Sequence, residues 1–208
     1  IVAYGKVIEA YLAGLEDRLA RGESLTGIAS VASFFVSRVD TAVDRLLEER
    51  AAERAGEERE TLFGLRGKAA IANARRAYRL FRSSFAGARW ARLQRAGARL
   101  QRPLWASTST KNPAYRDVMY VEELIGPDTV NTLPPVTLEA FRDHGVVQRT
   151  VDRALDEADE VMVRLAEMGI DIDGVTAKLL DEGVAAFQRS YEGALAGVER
   201  KAKQLVAR

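Results

Sequence analysis

Apolar residues recur at Val7, Ile8, Tyr11, Leu12, Leu15 and Leu19. That spacing of three and four predicts an amphipathic helix at the start of the chain. Arg21-Gly22-Glu23-Ser24 breaks it. The run Ile28-Ala29-Ser30-Val31-Ala32-Ser33-Phe34-Phe35-Val36 is short, uncharged and rich in β-branched and aromatic residues. It predicts a fully buried strand, as in a parallel sheet covered on both faces. Asp40 and Thr41 then read as the cap of a helix that carries Val43, Leu46 and Leu47 and reaches a charged end near Glu60. Residues 65–98 read as helical, with breaks at Gly67 and Gly87.

A second buried strand is expected after Pro103, over Leu104-Trp105-Ala106-Ser107, followed by a polar loop to Pro113. Tyr115 to Leu124 reads as a short helix, Gly126-Pro127-Asp128 as a turn, and Thr129 to Leu133 as a third short strand closed by Pro134-Pro135. Thr137 to Phe141 adds a short helical piece. Two long helices finish the chain. Val151, Leu155, Ala158, Met162 and Leu165 mark a face of the first, and Val175, Leu179, Phe187, Tyr191, Leu195 and Val198 a face of the second. Glu182-Gly183 reads as a kink in the second.

Short buried strands alternating with helices predict βα units on a parallel sheet. A doubly wound sheet and a (β/α)8 barrel both fit, and a whole barrel takes about 250 residues and eight strands. Ile1 enters the first helix with neither an initiator Met nor a capping residue before it. The chain therefore reads as a piece of a longer protein. The fold class expected is α/β, the C-terminal part of a (β/α)8 TIM barrel, about its last three βα units, plus extra C-terminal helices. Residues 1–208 are expected to form a single, incomplete domain.

Composition narrows the chemistry. The chain has 208 residues, 47% hydrophobic and 29% charged, which suits a folded globular protein. It has no cysteine and one histidine, His144. Disulfides, thiolate nucleophiles, zinc–cysteine sites, iron–sulfur clusters and His-rich metal sites are thereby excluded. No stretch approaches the roughly 20 apolar residues of a membrane-spanning helix. The net charge is +1, so global charge points to no polyanionic partner. Residues 61–116 contain no acid and thirteen basic residues, with Tyr78, Phe81, Phe85 and Trp90 interleaved. Basic residues among aromatics also mark nucleic-acid binders. Here Leu80, Phe81, Phe85, Trp90 and Leu93 are better explained as a packed face, and acids at 53–60 and 152–160 are available to offset the charge.

In a parallel α/β sheet, ligands sit at the C-terminal ends of the strands. Those ends carry Ser33, Ser37, Arg38 and Asp40 after the first strand, Ser107 to Asn112 after the second, and Asn131 and Thr132 after the third. Hydroxyls and amides suit sugar hydroxyls, and an arginine suits a phosphate through two parallel hydrogen bonds. The set describes a site for a polyhydroxylated anion; helix caps and loop solvation would use the same residue types.

Several segments resemble transaldolases of the bacterial, actinobacterial type. They are Ser30 to Asp40, Lys68-Ala69-Ala70-Ile71-Ala72-Asn73-Ala74, Arg102 to Thr108, Lys111-Asn112-Pro113-Ala114-Tyr115 and Asp128 to Pro134. The resemblance covers nearly the whole chain, in order. It implies a transferase that moves a dihydroxyacetone unit from a ketose phosphate (sedoheptulose 7-phosphate or fructose 6-phosphate) to an aldose phosphate in the pentose phosphate pathway. The implied mechanism is a Schiff base on lysine, with no metal and no organic cofactor. It places Ser33, Phe35 and Arg38 on the sixth barrel strand, with Arg38 on the substrate phosphate, and Ser107 on the seventh. Many members carry an arginine two residues past that serine. Position 109 here is Ser, and the nearest cation is Lys111.

The resemblance puts the imine-forming lysine and the acid/base carboxylates upstream of Ile1, so no catalytic residue is expected in this chain, which alone is expected to be inactive. A nucleophilic amine needs a desolvated site. Only Lys111 of the six lysines is near the inferred site, and it stands in a polar loop. Sugar phosphates are the expected partners, with neither nucleic acid nor membrane, and a homodimer is the candidate assembly. The expected location is cytoplasmic. Alternatives are a related class I barrel aldolase that cleaves fructose 6-phosphate, and a non-catalytic Arg-rich interaction module.

Overall fold

The computed structural model describes residues 1–206. Ala207 and Arg208, which the expected domain over 1–208 includes, lie outside the described residues. The chain forms two compact units, Ile1–Ile172 and the segment from Asp173 onwards.

The first unit is built on three parallel strands. They are β1 (Ser30–Phe35), β2 (Gln101–Ala106) and β3 (Val130–Asn131), in the order β1-β2-β3. Phe34 lies opposite Trp105, Phe35 opposite Ala106 and Leu104 opposite Val130. The three expected strands are thus parallel neighbours. Eight helices belong to this unit: α1 (Val2–Ala20), α2 (Ser37–Ala52), α3 (Gly56–Gly64), α4 (Ala69–Ser84), α5 (Ala88–Arg95), α6 (Met119–Glu122), α7 (Pro135–His144) and α8 (Leu155–Glu167); a ninth among the described residues, α9 (Ile172–Val206), makes up the second.

One face of the sheet is covered. Ala32, Phe34, Pro103 and Trp105 are buried there. Phe34 stands edge-on to both Tyr4 of α1 and Trp105, with ring centroids 5.7 and 5.9 Å apart. The Trp105 indole donates to the Leu124 carbonyl at 3.0 Å. The other face is open: Val31 is 43% and Phe35 38% exposed, and Ser33 is exposed between them. This corrects the expectation of a strand covered on both faces. Apolar side chains occupy both parities of β1, so no period-2 alternation marks the uncovered side.

Several boundaries also move. α2 begins at Ser37, so Asp40 is in its first turn rather than at its cap. Thr41 Oγ1 donates back to the Ser37 carbonyl at 3.0 Å. α2 ends at Ala52, and residues 56–64 form a separate helix. β2 starts at Gln101 and includes Pro103. The Thr132 amide donates to the Trp105 carbonyl at 3.0 Å, so the backbone groups of Trp105, and by period of two those of Pro103, face β3. β3 begins opposite Leu104, so the missing Pro103 N–H forfeits no ladder bond. The helix expected over 115–124 shrinks to the single turn α6, and β3 to two residues. α7 starts at Pro135, a residue suited to the first helical position, and runs to His144. α9, the second unit, runs unbroken through Gly183, so Glu182-Gly183 does not interrupt it. Its Phe187, Tyr191, Leu195 and Val198 are exposed.

The aromatic residues of the Arg-rich segment are core, as expected. Phe81, Phe85, Trp90 and Leu93 are buried. Many of its arginines are paired. Arg89 grips Glu9 and Glu16 of α1 at 2.6 and 2.7 Å. Arg79 makes a two-bond pair with Asp159 of α8 at 2.7 and 2.8 Å, and Arg75 meets Glu123 at 2.6 Å. Acids at 152–160 therefore offset the charge as expected. Among the described residues the stretch 53–60 gives a local Arg54–Glu58 pair, and α1, Glu48 of α2, Glu122 and Glu123 supply further counter-charge.

The buried face of α2 carries Val39, Val43 and Leu47, and with them two carboxylates, Asp40 and Asp44. A buried carboxylate without partners is costly, and each here has two. Asp40 accepts from the Ala70 amide and from Tyr120 Oη, both at 2.7 Å. Asp44 accepts from the Gly67 amide at 2.9 Å and from Tyr115 Oη at 2.5 Å. Burial outweighs these bonds and pushes the Asp40 pKa up to about 6, and it raises that of Asp44 as well.

A carboxyl whose pKa rises on folding stabilises the fold most when protonated. Asp40's share is complete below its unfolded pKa, near 4, and is lost as pH rises through about 6. Asp40→Asn keeps the shape without the charge. Its stability relative to wild type should improve by up to about 3 kcal/mol between pH 4 and pH 7.5. Denaturant unfolding of both proteins across that range checks this, and parallel curves would refute it. Gly67 has φ +72° and a Cβ there would lie 2.9 Å from the Tyr115 ring, whereas Gly56, at φ +60°, faces open space. Gly67→Ala should therefore lower the unfolding free energy by more than about 1 kcal/mol, and by more than Gly56→Ala does.

Candidate functional site

The expected site residues fall at the C-terminal end of β1 and β2 and in the loop that follows β2. Ser33 and Phe35 are on the open face of β1. Arg38 lies in the first turn of α2, and its guanidinium sits 4.9 Å from the Phe35 ring centroid. Such stacking orients the planar group while leaving its N–H edge free. Arg38 is exposed and, among the described residues, in no ion pair. That sets it apart from Arg75, Arg79 and Arg89, which are committed to acids.

Ser107 follows β2 directly. The ladder continues past both strands: the Val36 amide donates to the Ala106 carbonyl at 2.9 Å, and the Ser37 amide to the Ser107 carbonyl at 3.0 Å. Ser107 is thereby held beside the start of α2. Its φ is +56°, a left-handed conformation that costs a non-glycine residue on the order of 1 kcal/mol. No side chain caps the N-terminus of α2, and the buried Ser37 Oγ has no hydrogen-bond partner among the described residues. An uncapped helix N-terminus with an arginine in its first turn favours an anion.

Lys111 is exposed, and its Nζ lies 2.9 Å from Ser109 Oγ. Its ammonium thus folds back onto position 109. No hydrogen bond or ring contact joins Lys111 to Ser33, Phe35, Arg38 or Ser107 among the described residues. The structure therefore assembles Phe35, Arg38 and Ser107 at one strand end and leaves Lys111 on the adjoining loop. Thr108 is buried and donates to Asn131 Oδ1 at 2.8 Å, which links the ends of β2 and β3.

The tyrosine–aspartate pairs are what the sequence reading missed, since it took Asp40 for a helix cap. A signal existed. Two acids four residues apart fall on the same face as Val39, Val43 and Leu47. Acids on an apolar stripe require buried donors.

His144 ends α7, with Nε2 2.9 Å from Asp117 and Nδ1 3.1 Å from Asp143. These acids raise its pKa. Among the described residues, no cluster of three or more His, Asp or Glu is arranged to hold a metal ion, and no helix is long and apolar enough to cross a membrane.

The sequence pattern of the family described as "Transaldolase/Fructose-6-phosphate aldolase" matches residues 2–198. A protein named Transaldolase from Parafrankia sp. (strain EAN1pec) is 50% identical over 189 residues, covering 90% of this chain and 49% of the relative. Transaldolase from Trichodesmium erythraeum is 45% identical over 208 residues, covering 99% of this chain and 55% of the relative. Transaldolase 1 from Streptomyces coelicolor is 48% identical over 198 residues, 95% of this chain and 50% of the relative. The chain thus spans about half the length of the curated relatives it matches. A match across this much of the chain, together with parallel strands that present an uncommitted arginine beside hydroxyls, leads to one assignment: the chain belongs to the transaldolase/fructose-6-phosphate aldolase family.

Proposed function

We propose that this chain is the C-terminal portion, one incomplete domain, of a TIM-barrel transaldolase. In this reading the protein transfers a dihydroxyacetone unit between sugar phosphates in the pentose phosphate pathway. The open sheet face supports it. A barrel's inward side chains come from one face of its strands, and β1 presents Val31, Ser33 and Phe35 on its uncovered face. The remaining strands of the barrel would close over them.

The carrying observation is Arg38. It is exposed, stacked on Phe35, free of acids among the described residues, and placed at an uncapped helix N-terminus beside Ser107. We assign it the substrate phosphate, with Ser107 and Ser33 on phosphate or sugar hydroxyls. Lys111 takes the place of the family's seventh-strand arginine. Its support is the contact with Ser109, the position where that arginine would stand. The imine-forming lysine and the proton-transferring carboxylates belong to the segment preceding Ile1. This chain then supplies binding, and the upstream strands the covalent chemistry.

Three experiments test this. In the full-length protein, Arg38→Ala should lower kcat/KM for fructose 6-phosphate about ten- to hundredfold, the range of a lost charge-assisted hydrogen-bonded contact. Use of unphosphorylated fructose should fall far less, and equal losses would refute the assignment. Borohydride trapping with fructose 6-phosphate should attach one sugar adduct to a peptide upstream of residue 1 and none to residues 1–208. A specific adduct on Lys111 would overturn the division of roles. Turnover raised by an acceptor aldose phosphate is the expected transaldolase signature; indifference to it would favour simple aldol cleavage.

A further inference from the structure

The segment from Ser107 to Val118 is neither helix nor strand, yet it carries Ser107, Ser109 and Lys111. A loop cation serves a fixed phosphate only if something holds the loop in place. One end is held by β2 and by the Ser37–Ser107 and Thr108–Asn131 bonds. The other end is held by Tyr115, four residues past Lys111. Between them, the Tyr115 amide donates to the Asn112 carbonyl at 3.1 Å, and the Ala114 amide to Asn112 Oδ1 at 2.9 Å. This tight turn ties Lys111's immediate neighbour to the Tyr115 backbone.

Tyr115 in turn is fixed on α2. Its hydroxyl donates to Asp44 Oδ2 at 2.5 Å, while Asp44 Oδ1 takes the Gly67 amide. The ring packs against Gly67, where a Cβ would come within 2.9 Å of it. Asp44 and Arg38 belong to one helix, six residues and about 9 Å apart along its axis. The helix that offers Arg38 therefore also holds the turn that carries Lys111.

Resting on the phosphate reading above, we infer that Tyr115, through its bond to Asp44, is a positioning residue that sets Lys111 relative to Arg38 and so governs selectivity for phosphorylated substrates. Tyr120 makes the parallel bond to Asp40 from α6, beyond the Asn112 turn. It serves as an internal control, since it anchors to the same helix but not through that turn.

The test uses the full-length protein with Tyr115→Phe, Tyr120→Phe, Lys111→Met and the Tyr115→Phe/Lys111→Met double variant. For each, kcat and KM are measured with fructose 6-phosphate and with fructose, alongside the unfolding midpoint. Tyr115→Phe should raise KM for fructose 6-phosphate about five- to tenfold, with kcat within about twofold and fructose use unchanged. In the Lys111→Met background it should add less than about twofold. Tyr120→Phe should lower the midpoint yet leave the ratio between the two substrates within about twofold. Multiplicative effects of Tyr115→Phe and Lys111→Met, equal losses on both substrates, or the same selectivity loss from Tyr120→Phe would each overturn the positioning role. If Lys111→Met itself leaves KM for fructose 6-phosphate unchanged, the Lys111 assignment falls and the positioning role with it, while the Arg38 assignment stands on its own variant.

Discussion

Two carboxylates on the buried face of α2 tie together the segments around the C-terminal ends of β1 and β2. Asp40 and Asp44 are surrounded by Val39, Val43 and Leu47, where an unsatisfied charge would be prohibitive. Their four acceptor bonds reach the turn before α4 at Gly67, the first turn of α4 at Ala70, the loop after β2 at Tyr115 and α6 at Tyr120. One helix thus sets the placement of two distant stretches of chain. The same helix presents Arg38 two residues before the first of these anchors and six before the second. Removing either partner would leave a buried donor or acceptor unmet, so the arrangement resists partial loosening.

The charge pattern divides in two on structural grounds. Arginines of α4 and α5 are spent on tying helices together, Arg89 to α1 and Arg79 to α8. These pairs are largely exposed, so each adds little stability. They do cancel a basic field that would otherwise attract polyanions indiscriminately. Arg38 differs in its place: it stands just past the end of β1, in no ion pair among the described residues, with its guanidinium over the Phe35 ring. A binding cation must be both fixed and unneutralised. The left-handed Ser107 fits the same picture, since local strain is tolerated where backbone must be aimed.

Family membership and the physical reading meet at the strand ends. The matched pattern runs across nearly the whole chain, while the chain spans about half of its curated relatives. An open sheet face lined by Ser33 and Phe35 agrees with the barrel reading proposed above. Arg38 and Ser107 sit at the strand ends, where ligands meet parallel strands in α/β folds generally.

The sequence by itself determined the three parallel strands, the helical order around them and the strand-end residues Ser33, Phe35, Arg38 and Ser107. Those follow from local pattern, short uncharged β-rich runs between periodic helices, and from resemblance. It also foresaw Phe81, Phe85 and Trp90 as core, because an apolar stripe needs only its own helix to be recognised. Tertiary structure alone decided the rest. Which face of β1 is covered depends on helices packed from elsewhere, and apolar residues on both parities hide the answer. Whether Asp40 caps a helix or is buried within one depends on Tyr120 and Ala70, 80 and 30 residues away. Gly183 reads as an interruption, yet a single glycine costs a helix only about 1 kcal/mol, and α9 continues through it. Long-range donors and the choice of covered face are properties of the packed chain, and no window of neighbouring residues contains them.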